Sequence, residues 1–541
     1  MFFHRRASRL DRLVLDQGSA AKPKDRVGLS EYMGEEDIRV AELFAGVGGF
    51  RLGLEGHPDE DEETGFKVVF SNQWEPPPKG SNTPPKQWAS MIYEKQFGSE
   101  GHTNDSIHDF THPIDGIKDI AEHDLLVGGF PCQDYSVART VSGELGIEGE
   151  KGKLWVDIAR ILRWKRPRPK MVFLENVPRL LNSPATARGL NFAIILNDLI
   201  SMGYEVEWRV INAADYGMPQ QRSRVFILAY RTPGKNKKDE RGKINGPQKF
   251  GFSGQPGKVP KTRNGMTKWL LGKSTTKTSE KWEIGPFAEA FPMTGKLVGK
   301  PQVISQDLED YTSKPSPFGN SGYAWQKQIV RAGPWKNVFW STKVKAEYEG
   351  ERTTLGDILE AKFDDDYKID ESRLDEWRYA KGTKNEFRLR KKDRKNVDKA
   401  LLTRFDLCMN APHAERRELW QDAAWRKRFE ATVGPNAFYR YDEGAMKFDQ
   451  LDKPSRTVVT DEIGKTPSRM RHIVEYEEGK FRRLMPVETE RLNMFPDNWT
   501  AYEKIAGSRR GFLMGNALVV GVVSRLSGPI RYLIRTRSNV D

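Results

Sequence analysis

Three kinds of side chain stand where short apolar runs give way to loops, and their types suit nucleophilic and acid–base chemistry. Cys132 follows the run HDLLVGGF in Pro131-Cys132-Gln133, and an ionised thiol there is a ready nucleophile. Pro131 stiffens the approach, and Gly143, Gly146, Gly149 and Gly152 give the following stretch the hinges of a closing lid. Glu175 closes the run KMVFL in Glu175-Asn176-Val177. A carboxyl group there, its pKa raised by burial, can hold and protonate a ring nitrogen, whereas helix capping is its ordinary role. Arg222 and Arg224 open the run VFILAY in Gln220-Gln221-Arg222-Ser223-Arg224. Alternate strand residues point the same way, so two such arginines can converge on one acceptor or phosphate. Cys408, the other cysteine, lies in a charged region without such a setting and reads as a packing residue.

A glycine-rich turn, Phe44-Ala45-Gly46-Val47-Gly48-Gly49-Phe50, follows the run IRVAEL. Glycines between strand and helix let backbone approach a ligand closely, and the helix N-terminus favours anionic groups. Its spacing is not the G-x-G-x-x-G of dinucleotide enzymes, which argues against a nicotinamide or flavin enzyme but not against a nucleotide-like cofactor. The next apolar run ends in Ser71-Asn72-Gln73-Trp74-Glu75. A strand-end polar residue at that distance reads ribose hydroxyls, and the indole offers a face to an adenine ring.

The elements that must position these residues follow from periodicity. Between 37 and 231 the runs IRVAELF, FKVVFSN, HDLLVGGF, KMVFLEN, EVEWRVINA and RVFILAY alternate with helical segments such as WVDIARILRW and LNFAIILNDLISMG. That order predicts an α/β fold with a parallel, doubly wound, Rossmann-like sheet. Residues 1–36 read as a polar extension. Residues 232–450 lose the alternation and read as a smaller, irregular domain or insertion with short strands and charged helices such as AERRELWQDAAWRKRFE. Residues 451–541 return to helix and strand, with FLMGNALVVGVVSRLSGPIRYLI as one long helix on the sheet.

The 541 residues carry 88 Lys and Arg against 75 Asp and Glu, a net charge of +13, which suits a polyanion partner. Residues 231–263 hold ten basic and two acidic side chains, and 378–404 hold eleven and three. Two cysteines exclude a disulfide framework and a four-thiolate zinc site and fit a reducing compartment. No run approaches the roughly 18 apolar residues of a membrane helix, so no membrane partner is expected. His108 and His112 have helical spacing, with His102 and His123 nearby, yet no third-ligand pattern such as H-E-x-x-H is present, so no metal is expected.

Assembled, these motifs resemble the cytosine-specific carbon-5 DNA methyltransferases. FAGVGGF is similar to the cofactor-binding opening of that family, GGFPCQ to its nucleophile motif, ENV to its cytosine-holding motif and QQRSR to its Q-x-R-x-R motif. RRLMPVETERLNMFPDNW is similar to the segment after the recognition domain and GNALVV to the final cofactor motif. The resemblance implies that Cys132 attacks carbon 6 of a flipped cytosine, that Glu175 binds ring nitrogen 3 and the exocyclic amine, that Arg224 holds the base carbonyl, and that Arg222 orients the nucleophile's surroundings. It implies S-adenosylmethionine as cofactor, lined by Phe44, Gly46, Val47, Gly48 and Gly49, with Trp74 against the adenine, Asp105 near its amino group, Pro131 beside the ring, and Asn516 and Ala517 near the methionine part.

The family usually has an acidic residue before the Trp. Here it is Gln73, with Glu75 after, so either side chain can take the ribose; Asp119 likewise competes with Asp105. The resemblance further implies double-stranded DNA as partner, read by 232–450, a cognate restriction endonuclease, a monomer on DNA, and a prokaryotic cytoplasm near the nucleoid. An RNA cytosine methyltransferase of the same fold would share the chemistry, but the long basic insertion favours a duplex-DNA reader. A non-catalytic DNA-binding relative would be expected to lose PCQ or ENV, and both are intact.

Overall fold

The computed structural model describes residues 36–60, 64–78, 80–81, 83–130, 153–231, 286–297, 302–304, 315–318, 324–329, 336–381, 397–410, 422–433 and 448–537. Cys132, Pro131 and the four loop glycines lie outside these, as does nearly all of the N-terminal extension.

The strands are β1 (Ile38–Leu43), β2 (Phe66–Asn72), β3 (His102–Thr103), β4 (Leu125–Gly129), β5 (Met171–Asn176), β6 (Tyr204–Asn212) and β7 (Ser223–Arg231). They lie in the order β3-β2-β1-β4-β5-β7-β6. Alternation along each strand buries both faces. Val40, Val127 and Phe173 enter one core, whereas Ala41, Leu126 and Val172 enter the other. On the first face lie α1 (Gly49–Glu55) and α2 (Trp88–Phe97); on the second lie α3 (Lys153–Trp164) and α4 (Leu190–Ser201). The fold is therefore α/β, three-layered and doubly wound.

The structure departs from an all-parallel sheet at β7. β1, β2, β4 and β5 pair in parallel, but β7 runs antiparallel to both β5 and β6. A parallel return needs a crossover of a dozen residues or more, and between Asn212 and Ser223 the chain has only a 3₁₀ turn at Ala213–Tyr216 and a short link. β6 and β7 are therefore a hairpin, inserted with β7 innermost.

The sheet also continues into the central region. β8 (Met293–Leu297), β9 (Gln302–Val303), β10 (Ala324–Ile329) and β11 (Lys336–Ala346) extend it antiparallel from β6. Phe287, Phe291 and Met293 join the first core, and Ile304, Phe318 and Phe339 join the second. Part of 232–450 thus shares the core of the α/β unit. A smaller core is formed by Leu355, Ile358, Val458, Ile463, Val474, Leu484 and Leu492, beside the hairpin β12 (Ile473–Glu477) and β13 (Lys480–Arg483). Of the charged segment AERRELWQDAAWRKRFE, the described part is helical within Ala423–Val433.

The C-terminal stretch is not one helix. After α5 (Pro486–Leu492), α6 (Gly507–Asn516) ends, the chain turns through Ala517–Val519, and α7 (Val520–Arg537) begins. The carbonyls of Met514 and Gly515, which a continuous helix would aim at the amides four residues on, instead accept from Asn493 Nδ2 at 2.9 Å and Arg222 Nη2 at 2.7 Å. Leu518 and Val519 turn inward and are buried. The span Gly507–Arg535 is long and apolar enough to cross a membrane by composition, yet most of its apolar part is buried within the protein.

α7 packs tightly on α1. A Cβ on Gly53 would stand 2.6 Å from Val523 Cβ, closer than carbon atoms approach. Gly53→Ala should therefore cost about 1–3 kcal/mol of stability by overpacking. Calorimetry should show a lowered Tm, and an unchanged Tm would contradict this helix contact.

Candidate active site

The strand order reverses direction between β1 and β4, so a crevice opens at their carboxyl ends, where open α/β sheets bind ligands. β1 delivers the glycine turn to one side and β4 delivers Gly129-Phe130 to the other. In the turn Phe44 has φ 56°, Gly46 φ 59° and Gly48 φ 88°, the left-handed region that glycine enters at little cost. The turn is held from several elements. Gln73 Oε1 accepts from Gly46 N at 2.7 Å, Trp499 Nε1 donates to the Val47 carbonyl at 2.8 Å, and Leu518 lies against Gly49. A Cβ on Gly46 would meet nothing within 4 Å, so open space faces the backbone there.

The end of β2 is tied to its surroundings. Asn72 Nδ2 donates to the Asp105 carbonyl at 2.8 Å, which brings Asp105 to this edge, whereas Asp119 acts electrostatically on Lys165. Trp74 is half-buried. Gln73 is committed to the turn. Glu75 instead receives Arg509 on Oε2, while its Oε1 is buried without a hydrogen-bond partner in the structure. Asn516, the last residue of α6, is exposed, and Ala517 follows at the break.

Across the crevice, Glu175 sits at the carboxyl end of β5, paired in register with Gly129 of β4, three residues before Cys132. A Cβ on Gly129 would lie 3.2 Å from Glu175 Oε2, so the absence of a side chain there makes room for the carboxylate. Arg224, on the antiparallel neighbour β7, reaches Glu175 Oε1 with Nε at 2.8 Å. Burial raises the pKa of Glu175, while Arg224 and then Arg222 pull it down; the net shift is upward. Desolvation and the paired arginine thus act on this carboxyl group in opposite senses.

Arg222 has a different place from Arg224. It is buried, and its guanidinium donates to the carbonyls of Val458 at 3.1 Å and Gly515 at 2.7 Å, clamping the C-terminal segment behind the site. Burial and then the Arg224 charge disfavour its ionised form.

Several contributors went unread in the sequence. Asn176 Nδ2 donates to the Phe130 carbonyl at 2.7 Å, fixing the chain one residue before Pro131. Gln220, fully buried, donates to the Leu492 carbonyl and Asn493 Oδ1, both at 3.0 Å, and accepts from Val458 N at 2.8 Å. Asn176 and Gln220 belong to motifs already singled out, so amides adjacent to charged site residues were the available signal. Trp499 closes the motif RRLMPVETERLNMFPDNW, whereas Arg509 offered no signal. The histidines also differ from expectation. His102 is half-buried and His123 buried, with pKa values pushed down to about 4 by desolvation, but His108 and His112 meet a third group, Asp157 of α3.

A glycine turn facing open space and an acid–arginine pair thus stand across one crevice of a doubly wound α/β sheet. The model of the C-5 cytosine-specific DNA methylase family matches residues 38–307 and 323–531, and the chain belongs to that family. It is a DNA cytosine-5-methyltransferase. It is 35% identical over 500 residues to the type II methyltransferase M.Sau3AI of Staphylococcus aureus, across 91% of this chain and 95% of that one. Against the type II methyltransferase M.HhaI of Haemophilus parahaemolyticus the identity is 35% over 194 residues, 36% of this chain and 49% of that one. Among solved structures, S. pombe Dnmt2 methyltransferase aligns at 14% identity and TM-score 0.44, over 93% of this chain and 99% of that one, a likeness too distant to argue from.

Under the turn, Glu42 is fully buried and accepts from Tyr93 Oη at 2.9 Å. Burial pushes its pKa up to about 7, against the lowering effects of Tyr93 and Arg51. The folded state therefore binds this proton more tightly than the unfolded chain, so the stability it supports is full at low pH and is lost as pH rises towards and through 7. Glu42→Gln should gain Tm relative to wild type between pH 5 and pH 8. A constant difference across that range would contradict the assignment.

Proposed function

We propose that this enzyme methylates carbon 5 of a flipped-out cytosine in a specific duplex sequence through a covalent Cys132 adduct, as the modification arm of a restriction–modification system. The supporting observation is that the β4 strand leading to Cys132 ends in register beside the partly buried Glu175–Arg224 pair. Similarity to type II methyltransferases over nearly the whole chain supports the restriction–modification role, and with it a cognate endonuclease.

Extrusion of the base is required because carbons 5 and 6 are inaccessible within the stack. The Cys132 thiolate adds to carbon 6, breaking the ring's aromaticity, and the electron pair moves towards nitrogen 3. Glu175, whose pKa is raised by burial, gives that nitrogen a hydrogen bond or proton where the negative charge develops. Arg224 keeps the Glu175 carboxyl oriented and lies beside the base carbonyl's place. Carbon 5, now enamine-like, takes the methyl group; a base removes its proton and Cys132 departs.

S-adenosylmethionine fits the other half of the crevice, and when bound it supplies an electrophilic methyl group. The open space at Gly46 admits it to the backbone of Phe44, Gly46, Val47, Gly48 and Gly49, with Trp74 and Pro131 at the ring, Asp105 at the β2 edge, and Asn516 and Ala517 at the α6–α7 break. Gln73 braces the turn, and the unpartnered Glu75 Oε1 is the free acceptor for a ribose hydroxyl. Residues 232–450 read the DNA, and their basic runs contact phosphates.

Bisulfite sequencing of DNA from expressing cells should show methylation at one short sequence, lost in Cys132→Ala and retained in Cys408→Ala. Methylation by Cys132→Ala, or transfer to RNA but not duplex DNA, would overturn the proposal. Binding of Cys132→Ala to its site should weaken with salt at a slope of about 0.9 per phosphate contacted. Gln73→Ala removes one hydrogen bond to the turn, worth about 0.5–1.5 kcal/mol, so cofactor affinity measured by calorimetry should fall about threefold to tenfold.

A further inference from the structure

His108 and His112 lie one turn apart, in and at the end of the short helix Ile107–Thr111, with their rings stacked at 3.8 Å between centroids. Both Nδ1 atoms face one carboxylate on α3: His108 Nδ1 stands 3.4 Å and His112 Nδ1 3.7 Å from Asp157 Oδ1. These ligand atoms all fall within 4.8 Å of one another. Asp157 is 1% exposed and its Oδ2 has no hydrogen-bond partner, while Oδ1 accepts from Thr111 Oγ1. His108 and His112 are 43% and 29% exposed, so the side away from Asp157 is open to water. Nothing in the methyl-transfer chemistry uses this cluster.

We propose that His108, His112 and Asp157 form a binding site for a transition-metal dication, of which Zn²⁺ is the best match. Zinc holds nitrogen and carboxylate oxygen at about 2.0–2.2 Å, which in a tetrahedron separates neighbouring ligand atoms by roughly 3.3–3.5 Å. The two nitrogen–oxygen separations stand at and just above that spacing, and the stacked rings must turn about their side-chain bonds so that both lone pairs converge on the ion. Three protein ligands leave a fourth position for water on the exposed side. The donor set, two imidazoles and one carboxylate, suits Zn²⁺ rather than the all-oxygen preference of Mg²⁺ or Ca²⁺.

Thr111 Oγ1 contacts both Asp157 Oδ1 and His112 Nδ1, the latter at 2.9 Å. On coordination the His112 proton moves to Nε2, and Thr111 remains as a donor orienting Asp157. Arg160 donates to the Thr111 carbonyl at 3.3 Å. That cation repels another, so binding should be weaker than in a closed four-ligand site. A bound ion would join the helix Ile107–Thr111 to α3 and stabilise the folded state.

The test uses the full chain, stripped with EDTA and titrated with Zn²⁺ by calorimetry and by melting. Wild type should bind one ion per chain and gain Tm. His108→Gln and His112→Gln, both at partly exposed positions, should each weaken binding at least tenfold and abolish the gain, while melting like wild type in EDTA. Co²⁺ on wild type should give visible ligand-field absorption without a thiolate charge-transfer band, a reading that does not depend on variants folding. Absence of Zn²⁺ binding, binding unchanged in both variants, or a thiolate band that places the ion on a cysteine would each overturn the proposal.

Discussion

A carboxylate largely withdrawn from water at the carboxyl edge of a sheet keeps its charge at least cost with a cation beside it. Glu175 meets that constraint through Arg224, and the topology follows from the need. Had β6 and β7 been joined by a helical crossover, the strand beside β5 would run parallel and its first residues would lie at the opposite edge of the sheet. The tight hairpin reverses β7, so its beginning lies opposite the end of β5, where Asn176 pairs with Val225 and Arg224 follows. One short connection therefore decides that the acid keeps its charge partner and its raised pKa together.

The same hairpin turn commits the C-terminal segment. Gln220 and Arg222, just before β7, are buried and donate to the carbonyls of Leu492, Val458 and Gly515. That capture ends α6, turns Leu518 into the core and sets the segment against the glycine turn, where Trp499 also holds Val47. The two halves of the crevice, separated by more than 400 residues of chain at that contact, are thereby fixed to one frame.

Strands and helices of the α/β unit were legible because each has one dominant period. Alternation buried on both faces leaves continuous apolar runs, and IRVAEL and MVFLEN are strands where the runs stand. The chemistry was legible for a related reason: functional side chains must interrupt those runs at their ends. What stayed hidden depends on distant partners. No local pattern says that the Met514 and Gly515 carbonyls accept from side chains, so FLMGNALVVGVVSRLSGPIRYLI read as one helix. Nor could spacing find Asp157 for His108 and His112, because it comes from another helix. Short strands were expected in 232–450, but that β8 to β11 extend the main sheet from β6 was hidden by their charge and glycine, since an edge extension has less apolar surface to declare it.

The role of Glu175 is open to a direct measurement: the rate at which duplex DNA carrying 5-fluorocytosine at the target forms a covalent adduct, with the modified peptide located by mass spectrometry. Fluorine cannot leave as a proton, so the adduct accumulates. The wild-type adduct should map to Cys132, and Glu175→Gln should form it about 10²- to 10⁴-fold more slowly, the usual loss when acid–base assistance is removed. An adduct elsewhere, or one formed at the wild-type rate by Glu175→Gln, would contradict the site.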